Sequence, residues 1–499
     1  MSRAKCIMVQ GTMSGAGKSL LCTALCRILA QDGYKTAPFK SQNMALNSFV
    51  TRDGLEMGRA QVVQAQAAGI EPDVRMNPIL LKPSSDVGSQ VIVNGEVRGN
   101  MPAAEYFRHK RALIPDILRA YNSLAEEYDI LVIEGAGSPA EINLKADDIV
   151  NMGLAELVDA PVLLAGDIDR GGVFAQLYGT VALLEERERS RIKGLIINKF
   201  RGDVEILRPG LAMLEDKTGL PVLGVVPYLD ADIEDEDSLS ERLCRKKTVK
   251  PLDVAIVRLP HISNFTDFIP LEQHPLLGVR YLRTVRELGA PDLVLLPGTK
   301  NTVEDLLWLR QSGLEAALQK LAAGGTPVLG VCGGYQMLGH TLADPEGCEG
   351  GTPRTMRGLG LLPTETVFTA EKRRAQVTAC AAAPFAGAAL TGYEIHTGRT
   401  AANGAPFCTM ADGTPEGCVE GNVFGTYLHG LFDSGELTER LAVYLCRRRG
   451  IAPEQAAPLP METYREQQFD RLADGVRRAL DMDAVYAAMG LKNPKGESL

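Results

Sequence analysis

Short apolar runs that alternate with longer amphipathic stretches restrict this chain to a small set of folds. The runs are rich in Val, Ile and Leu and lack polar alternation, which is typical of parallel strands buried on both faces. In the first half of the chain they lie at 6–10, 129–135, 161–167, 194–199 and 221–227. A helix is predicted over 18–31, because Leu21, Leu25 and Ile28 share one face and Gly33 follows. The pattern predicts an α/β fold built on a doubly wound, mainly parallel sheet.

The same alternation returns in the second half, so two such domains are predicted. Its apolar runs lie at 253–259, 292–298, 327–333 and 421–430. An acidic cluster between Asp230 and Asp237, followed by basic Arg245 to Lys247, is interpreted as a solvated linker between the domains. Residues 364–415 are interpreted as a β-rich or irregular insertion. The predicted organisation is a first domain at 1–235, a linker at 236–250, a second domain at 251–445 and a helical C-terminal extension at 446–499.

Composition narrows the class of protein. The 499 residues suffice for two to four domains, and the 45% hydrophobic content is that of a globular chain. No run approaches the ~20 apolar residues of a membrane-spanning helix, so no membrane partner is expected. A net charge of -9 argues against nucleic acid as the main partner. Ten cysteines without a Cys-x-x-Cys pair argue against a zinc ribbon and favour a reducing cytoplasm.

A glycine-rich loop between the first strand and the first helix indicates nucleotide binding. The loop is Gly11-Thr12-Met13-Ser14-Gly15-Ala16-Gly17-Lys18-Ser19. Its backbone N–H groups are expected to wrap the phosphates of ATP, with Lys18 on the β- and γ-phosphates and the Ser19 hydroxyl on Mg²⁺. The spacing departs from the usual phosphate loop, because the first glycine comes one position early and Thr12 takes its place. Glu134, at the end of the run 129–135, is the candidate second ligand of Mg²⁺.

A second motif, Gly330-Val-Cys332-Gly-Gly334, has the form of a nucleophile elbow between a strand and a helix. The elbow would project the Cys332 thiol at a helix N-terminus, which favours the thiolate. The Gly333 N–H is a candidate oxyanion donor, and Gly298 or Thr299 is the candidate for a second one. Of the six histidines, His429 is favoured over His396 as the base, because it follows a strand-like run. The sequence does not locate the carboxylate that would orient this base.

Together these motifs resemble two known modules. GTMSGAGKS with VIEGAG resembles the dethiobiotin synthetase-like ATPases, which phosphorylate carboxylates. GVCGGYQMLG with YLHG resembles the class I glutamine amidotransferase domain of the cobyrinate-amidating enzymes. Longer strings narrow the resemblance to the cobyric acid synthase family, and they are KSQNMALNSFVTRDGLEMGRAQ, MNPILLKPSSDVGSQ, EGAGSPAEINL, DIDRGGVF, INKFRGD and SNFTDFIPLE.

The resemblance implies ATP- and glutamine-dependent amidation of the b, d, e and g carboxylates of adenosylcobyrinic acid a,c-diamide, giving adenosylcobyric acid. It assigns Cys332 as the nucleophile and His429 as the general base. Leu431 stands where many class I amidotransferases carry Glu, so a Cys–His dyad, or an orienting group from elsewhere such as Glu394, is a hypothesis. The candidates for contacts with the corrinoid substrate are Lys40, Gln42, Asn43, Arg59, Lys82, Asp167 and Arg170.

Two alternatives stay open from the sequence. The first is a related ligase, such as cobyrinic acid a,c-diamide synthase or another glutamine-dependent amide ligase. The second is a phosphate-loop ATPase that serves as a binding module and carries an inactive amidotransferase domain. The oligomeric state is not predicted.

Overall fold

The computed structural model describes residues 4–85, 88–234, 243, 249–349, 351–452 and 460–496. Up to residue 234 the strands are β1 (Lys5–Gly11), β2 (Thr36–Phe39), β3 (Gln42–Met44), β4 (Ser48–Val50), β5 (Glu56–Gly58), β6 (Ile79–Ser85), β7 (Gly88–Val93), β8 (Glu96–Pro102), β9 (Ile130–Glu134), β10 (Val162–Asp167), β11 (Ile192–Phe200) and β12 (Val222–Pro227). The α-helices are α1 (Lys18–Gln31), α2 (Arg59–Ala67), α3 (Ala103–His109), α4 (Ile114–Glu127), α5 (Met152–Val158), α6 (Val173–Leu183), α7 (Glu186–Arg189) and α8 (Val204–Thr218).

From residue 249 onward the strands are β13 (Leu252–Val257), β14 (Leu277–Leu282), β15 (Leu293–Leu296), β16 (Val328–Val331), β17 (Thr341–Asp344), β18 (Arg354–Arg357), β19 (Thr364–Ala381), β20 (Ala389–Ala402), β21 (Cys408–Met410), β22 (Pro415–Glu416), β23 (Cys418–Glu420) and β24 (Val423–Thr426). The α-helices are α9 (Ile269–Gln273), α10 (Val285–Leu288), α11 (Thr302–Gln311), α12 (Leu314–Ala323), α13 (Gly333–Leu338), α14 (Glu436–Arg449), α15 (Met461–Ala479) and α16 (Met482–Ala488). Within the described ranges no helix is long and apolar enough to cross a membrane.

Each half of the chain is organised around its own parallel sheet. The first sheet has the order β12-β11-β10-β1-β9-β2, and all its pairs are parallel. The second has the order β14-β13-β15-β16-β24-β23 and is parallel except for the edge pair β23–β24. The predicted α/β class with mainly parallel sheets is confirmed. In both sheets the strands that precede the two predicted motifs, β1 and β16, are internal, and apart from exposed Lys5 their residues are buried.

Residues 45–56 and 465–499 pack in ways that the predicted domain boundaries do not describe. The chain forms two compact units, of which the first is Met1–Met44, Met57–Glu234 and Arg465–Leu499, and the second is Ala45–Glu56 and Asp235–Tyr464. The expected C-terminal extension is thus divided between the units, because α15 and α16 bury Leu472, Val476 and Val485 in the core beneath the first sheet. These packing contacts join residues far apart in sequence, so no local pattern announces them.

The acidic cluster interpreted as a solvated linker is partly a buried structure. The Glu234 side chain is only 7% exposed, and Arg59 and Arg465 pair with its carboxylate at 2.6 and 2.8 Å. Burial alone would raise the pKa of Glu234, but the two guanidinium groups lower it to about 2. The linker interpretation is therefore wrong for Glu234, while most of the predicted linker 236–250 lies outside the described residues.

Candidate active sites

The phosphate loop of the first unit connects β1 to α1 through backbone conformations that require glycine. Gly15 and Gly17 have φ angles of 77° and 89°. A Cβ atom on Gly17 would lie 2.1 Å from Nδ2 of Asn198. That amide nitrogen donates to the Ala16 carbonyl at 2.9 Å, so the end of β11 supports the loop from the side.

Two lysines lie along the same loop. Lys18 Nζ donates to the Met13 and Gly137 carbonyls at 3.0 Å each, which places the ammonium across the loop. Lys199 Nζ donates to the Gly15 carbonyl at 2.6 Å. Thr12, which takes the position of the usual first glycine, donates through its hydroxyl to Gln176. The loop thus has two ammonium groups beside the backbone amides that are expected to receive phosphates.

Glu134 ends β9 and is fully buried beside the start of α1. Its Oε1 accepts from Ser19 Oγ at 2.9 Å and pairs with Lys40 Nζ at 2.8 Å, while its Oε2 accepts from Gln64. Burial would raise the pKa of Glu134, but the Lys40 ammonium and these hydrogen bonds lower it. A hydroxyl beside an ionised carboxylate is a set of oxygen ligands that fits Mg²⁺ when phosphate oxygens complete the shell. Among the described residues no cluster of three His, Cys, Asp or Glu side chains offers a metal site independent of phosphate.

The other candidate substrate contacts are spread over the first unit. Gln42 accepts from the Tyr106 hydroxyl, and Asn43 donates to Gln61. Asp167, at the end of β10, pairs with Lys199 at 3.0 Å and lies 4.0 Å from Arg170.

Three of the four candidate cations are buried, and Lys40, paired with Glu134, is the first of them. Lys82 lies within β6, and Arg59 holds Glu234. The structure thus gives Arg59 an ion-pair partner within the fold, whereas the Arg170 side chain is 64% exposed.

The second unit places Cys332 at a strained turn between β16 and α13. Its φ of 53° and ψ of −110° are rare for a residue with a side chain, and such strain clusters at functional sites. The Cys332 N–H donates to the Thr426 carbonyl at 2.8 Å, which fixes the turn against β24. A Cβ atom on Gly333 would lie 2.6 Å from Cγ2 of Thr299. Gly333 is therefore directly beside the 298–299 loop, as the predicted oxyanion site requires.

His429 is buried next to the thiol, and its partner is Asp267. His429 Nδ1 lies 2.6 Å from Asp267 Oδ2, and the other carboxylate oxygen accepts from the Gly430 N–H at 3.0 Å. Burial lowers the pKa of His429, but the Asp267 carboxylate and a hydrogen bond with Cys332 raise it to about 10. These three side chains are arranged as a nucleophile, a base and an orienting carboxylate.

His396 and Glu394, the rival candidates for the base and the orienting group, have other partners. His396 Nδ1 lies 2.8 Å from the Gly398 carbonyl, which can only accept, so Nδ1 carries the hydrogen. Burial lowers the pKa of His396 to about 4, so this ring stays neutral at physiological pH. Its Nε2 is buried without a hydrogen-bond partner among the described residues. Glu394, the hypothetical orienting group, pairs with Arg373 at 2.5 Å and lies 4.0 Å from His396.

Further polar side chains form a hydrogen-bonded network behind the elbow. Gln336, on α13, accepts from the Thr302 hydroxyl and donates to the Tyr427 hydroxyl. The Tyr427 ring stacks on His396 with centroids 3.7 Å apart. Glu349 accepts from the Thr302 N–H at 2.9 Å, and burial raises its pKa despite nearby Lys300.

Comparisons with known proteins find a family match in each half of the chain. A family model described as the CobQ/CobB/MinD/ParA nucleotide binding domain matches residues 7–240. A second, the CobB/CobQ-like glutamine amidotransferase domain, matches residues 253–437. The fold and the two sites thus define a nucleotide-binding, glutamine-hydrolysing carbon–nitrogen ligase.

Relatives along the full chain narrow this class. The cobyric acid synthase of Lachnoclostridium phytofermentans is 57% identical, over 97% of this chain and 99% of that protein. That of Ruminiclostridium cellulolyticum is 54% identical, over 99% of both. That of Salmonella dublin is 52% identical, over 97% of this chain and 98% of that protein. The chain belongs to the cobyric acid synthase family, as the resemblance implied.

Sequence reasoning missed three side chains that the structure brings to the sites. Asp267 is 162 residues before His429, and nothing in its local pattern marks it. Gln61 and Gln64, on α2, approach Glu134 from a helix that was not predicted as part of the site. The available signal is the string SNFTDFIPLE, which contains Asp267 and is one of the strings that carry the family resemblance.

Proposed function

We propose that this chain amidates the b, d, e and g carboxylates of adenosylcobyrinic acid a,c-diamide, using ATP and glutamine, to give adenosylcobyric acid. The observation that carries the proposal is a complete Cys332–His429–Asp267 set in a chain that also has a lysine-lined phosphate loop. Family membership over nearly the full length supports the corrinoid as the substrate.

The thiol site would release ammonia from glutamine. The Cys332 thiolate attacks the carboxamide carbon, and the Gly333 N–H, with a second donor from Gly298 or Thr299, stabilises the oxyanion. His429, protonated beside Asp267, gives its proton to the departing nitrogen, so ammonia leaves and a thioester remains. Neutral His429 then takes a proton from water as its oxygen attacks the thioester. Glutamate leaves, and the thiolate and the imidazolium are restored.

His396 has a different role in this proposal. Its buried Nε2 is a hydrogen-bond acceptor because Nδ1 carries the hydrogen, and it lies next to Ile395, whose carbonyl is 3.7 Å from the Cys332 sulfur. A buried acceptor that lacks a donor is costly, so an N–H group of bound glutamine is a suitable partner. His396 is therefore a candidate acceptor for substrate, and His429 performs the proton transfers.

The phosphate loop would activate the substrate carboxylate. A carboxylate oxygen attacks the γ-phosphorus of ATP, ADP leaves, and an acyl phosphate forms; ammonia then displaces phosphate from the carbonyl carbon. Lys18 and the loop amides stabilise the charge that develops on the phosphates. Ser19 and Glu134 would hold Mg²⁺, which neutralises phosphate charge when bound. Of the candidate corrinoid contacts, exposed Arg170 is the best placed to bind a substrate carboxylate, and Lys40, Gln42, Asn43, Lys82 and Asp167 stay predictions.

The decisive experiment is mass spectrometry of products formed from adenosylcobyrinic acid a,c-diamide, Mg-ATP and glutamine. Each amidation replaces OH by NH₂, and products up to adenosylcobyric acid are expected. Cys332→Ala should form the same products only from added ammonium. Glutamine hydrolysis without a corrinoid product would instead indicate another amide ligase, for which a panel including cobyrinic acid would identify the acceptor. Absence of both activities would favour the binding-module alternative.

A further inference from the structure

Residues 45–56, called the docked segment here, belong by their contacts to the second unit although the chain on both sides belongs to the first. The docked segment is held by a reciprocal pair of asparagines. The Asn264 N–H donates to Asn47 Oδ1 at 2.7 Å, and the Ser48 N–H donates to Asn264 Oδ1 at 3.1 Å. Asn47 and Asn264 are 1% and 2% exposed, so water does not compete for these bonds.

Asn264 directly supports the orienting carboxylate of the thiol site. Its φ of 52° is left-handed, and its carbonyl accepts from the Asp267 N–H at 3.1 Å. The turn from 264 to 267 thus sets where the Asp267 carboxylate meets His429. Because Asn264 is held on both sides by the docked segment, displacement of Asn47 or Ser48 would move this turn.

The docked segment also contacts the other support of His429. The Tyr393 hydroxyl donates to the Ser48 carbonyl at 3.2 Å. The Tyr393 ring stacks on the His429 ring with centroids 5.4 Å apart, and the two residues exchange both backbone hydrogen bonds. Ser48 therefore has its N–H and its C=O bound to the two groups that position the catalytic imidazole.

The rest of the docked segment is fixed in place. Gln376 Nε2 donates to the Val50 carbonyl at 2.9 Å, and Lys372 pairs with buried Glu56 at 2.5 Å. Val50 packs against Tyr393 and Ile395. Shortly before the docked segment the chain carries Lys40, and shortly after it Gln61 and Gln64, all of which contact Glu134 in the nucleotide site.

We propose that the docked segment is a positioning element for the glutaminase, in which Asn47 and Ser48 set the orientation of the Asp267–His429 pair. The proposal rests on the proposed function only in taking Cys332, His429 and Asp267 as the glutamine-hydrolysing set. The proposal makes glutamine hydrolysis depend on the docked segment. The chain on either side of this segment carries Lys40, Gln61 and Gln64, which contact Glu134, the candidate magnesium ligand. Changes at Glu134 on nucleotide binding then reach His429 along the chain itself.

The test removes each half of the asparagine pair in the full-length protein. Asn264→Gly keeps the left-handed backbone but removes the acceptor for the Ser48 N–H, and Asn47→Ala removes the other acceptor. We expect kcat for glutamine hydrolysis to fall about 10- to 100-fold with an unchanged KM, because the imidazole is misoriented. Asn264→Asp keeps the acceptor and should recover most of the activity. Asp53→Asn, an exposed change within the docked segment, is the matched control.

A second measurement separates positioning from mere structural support. Alkylation of Cys332, followed by peptide mass spectrometry across pH, reports thiolate formation beside His429. We expect the alkylation profile of Asn47→Ala and of Asn264→Gly to lie at higher pH than that of the wild type. Addition of Mg-ATP should move the profile of the wild type but not the profiles of these variants. Amidation from ammonium should be unchanged in both variants.

Wild-type kcat and alkylation profiles in both variants would overturn the proposal. An equal loss of ammonium-dependent amidation would also overturn it, since the defect would then lie outside the glutaminase. A wild-type profile that does not respond to Mg-ATP would overturn the link to the nucleotide site. Only the ammonium control requires a corrinoid product; glutamine hydrolysis and Cys332 alkylation are measured without one. Failure of the proposed substrate and failure of this inference are therefore distinguishable.

Discussion

Two buried carboxyl groups of the first unit, Glu134 and Glu234, are compensated differently from Glu416 of the second. In the first unit Glu134 is paired with Lys40, and Glu234 with Arg59 and Arg465, so burial is outweighed and both pKa values are lowered. In the second unit burial raises the pKa of Glu416 to about 7, although its hydrogen bonds with Tyr427, Thr426 and Cys408 lower it. The first unit therefore keeps fixed charges, whereas the second has a carboxyl group that titrates near neutral pH.

This difference matches the chemistry proposed for each unit. A site for a polyanionic nucleotide needs cations and an ionised metal ligand that do not change with pH, and desolvation makes each such pair strong. A thiol site needs one proton that moves, and here Asp267 keeps that proton on His429. The thiol site of the second unit thus holds the Asp267–His429 pair, while the nucleotide site of the first holds the Glu134–Lys40 pair.

The largest expected effect comes from breaking that pair. Asp267→Asn keeps an acceptor for the Gly430 N–H but turns an amide toward His429, which favours the wrong tautomer. Glutaminase kcat should fall about 10³- to 10⁴-fold. Because the carboxylate raises the pKa of His429, its loss lowers that pKa, and the alkaline limit of the remaining activity should move to lower pH. A kcat–pH series checks this, with exposed Asp412→Asn as the control. Unchanged kcat would assign the orienting role elsewhere.

A smaller loss, confined to the other unit, should follow from Lys18→Met. The substitution keeps the length of the side chain but removes the ammonium from the phosphate loop. Amidation should fall about 10²- to 10³-fold with either glutamine or ammonium as nitrogen source, because developing phosphate charge loses a partner. Glutamine hydrolysis measured without acceptor should persist. Exposed Lys217→Met is the matched control, and a defect seen only with glutamine would contradict the division of roles.

How far the sequence predicts these sites depends on how local their residues are. The helix predicted over 18–31 is observed as Lys18–Gln31, and Cys332 lies at a strained turn as the elbow motif indicates. Asp267 was missed because it meets His429 only through the folded sheet. The edge strands β2 and β14 were missed as well, because short runs such as Thr36–Phe39 have weak patterns. The docked segment was missed because its partners, Asn264 and Tyr393, are distant in sequence.

The buried carboxyl group of Glu416, which titrates near neutral pH, gives a prediction for the stability of the second unit. Below the pKa of about 4.5 that Glu416 has in the unfolded chain, its carboxyl group is protonated in both the folded and the unfolded state. In the folded state the pKa is about 7, so the stability that protonated Glu416 contributes at low pH is lost as the pH rises through 7. Glu416→Gln mimics the protonated acid beside Thr426 and Tyr427. At pH 8 the variant should be more stable by about 1–3 kcal/mol.

Unfolding of the second unit can be followed separately from unfolding of the first. The only tryptophan of the chain, Trp308, is on α11 in the second unit, so its fluorescence follows unfolding of that unit. The gain should vanish at pH 5, and exposed Glu420→Gln should show no such pH dependence. An equal gain at both pH values would mean that Glu416 does not ionise in the folded unit.

The smallest expected effect tests whether the phosphate loop depends on its neighbouring strand. Asn198→Ala removes the donor to the Ala16 carbonyl but leaves Lys18, Lys199 and Gly17 in place. A single such hydrogen bond contributes about 0.5–1.5 kcal/mol, so ATP affinity should fall about two- to tenfold. Calorimetric titration with Mg-ATP measures this, with exposed Asn403→Ala as the control. Wild-type affinity would mean that the loop glycines alone hold its shape, as the strained turn holds Cys332. A loss well beyond tenfold would mean that Asn198 touches the nucleotide itself.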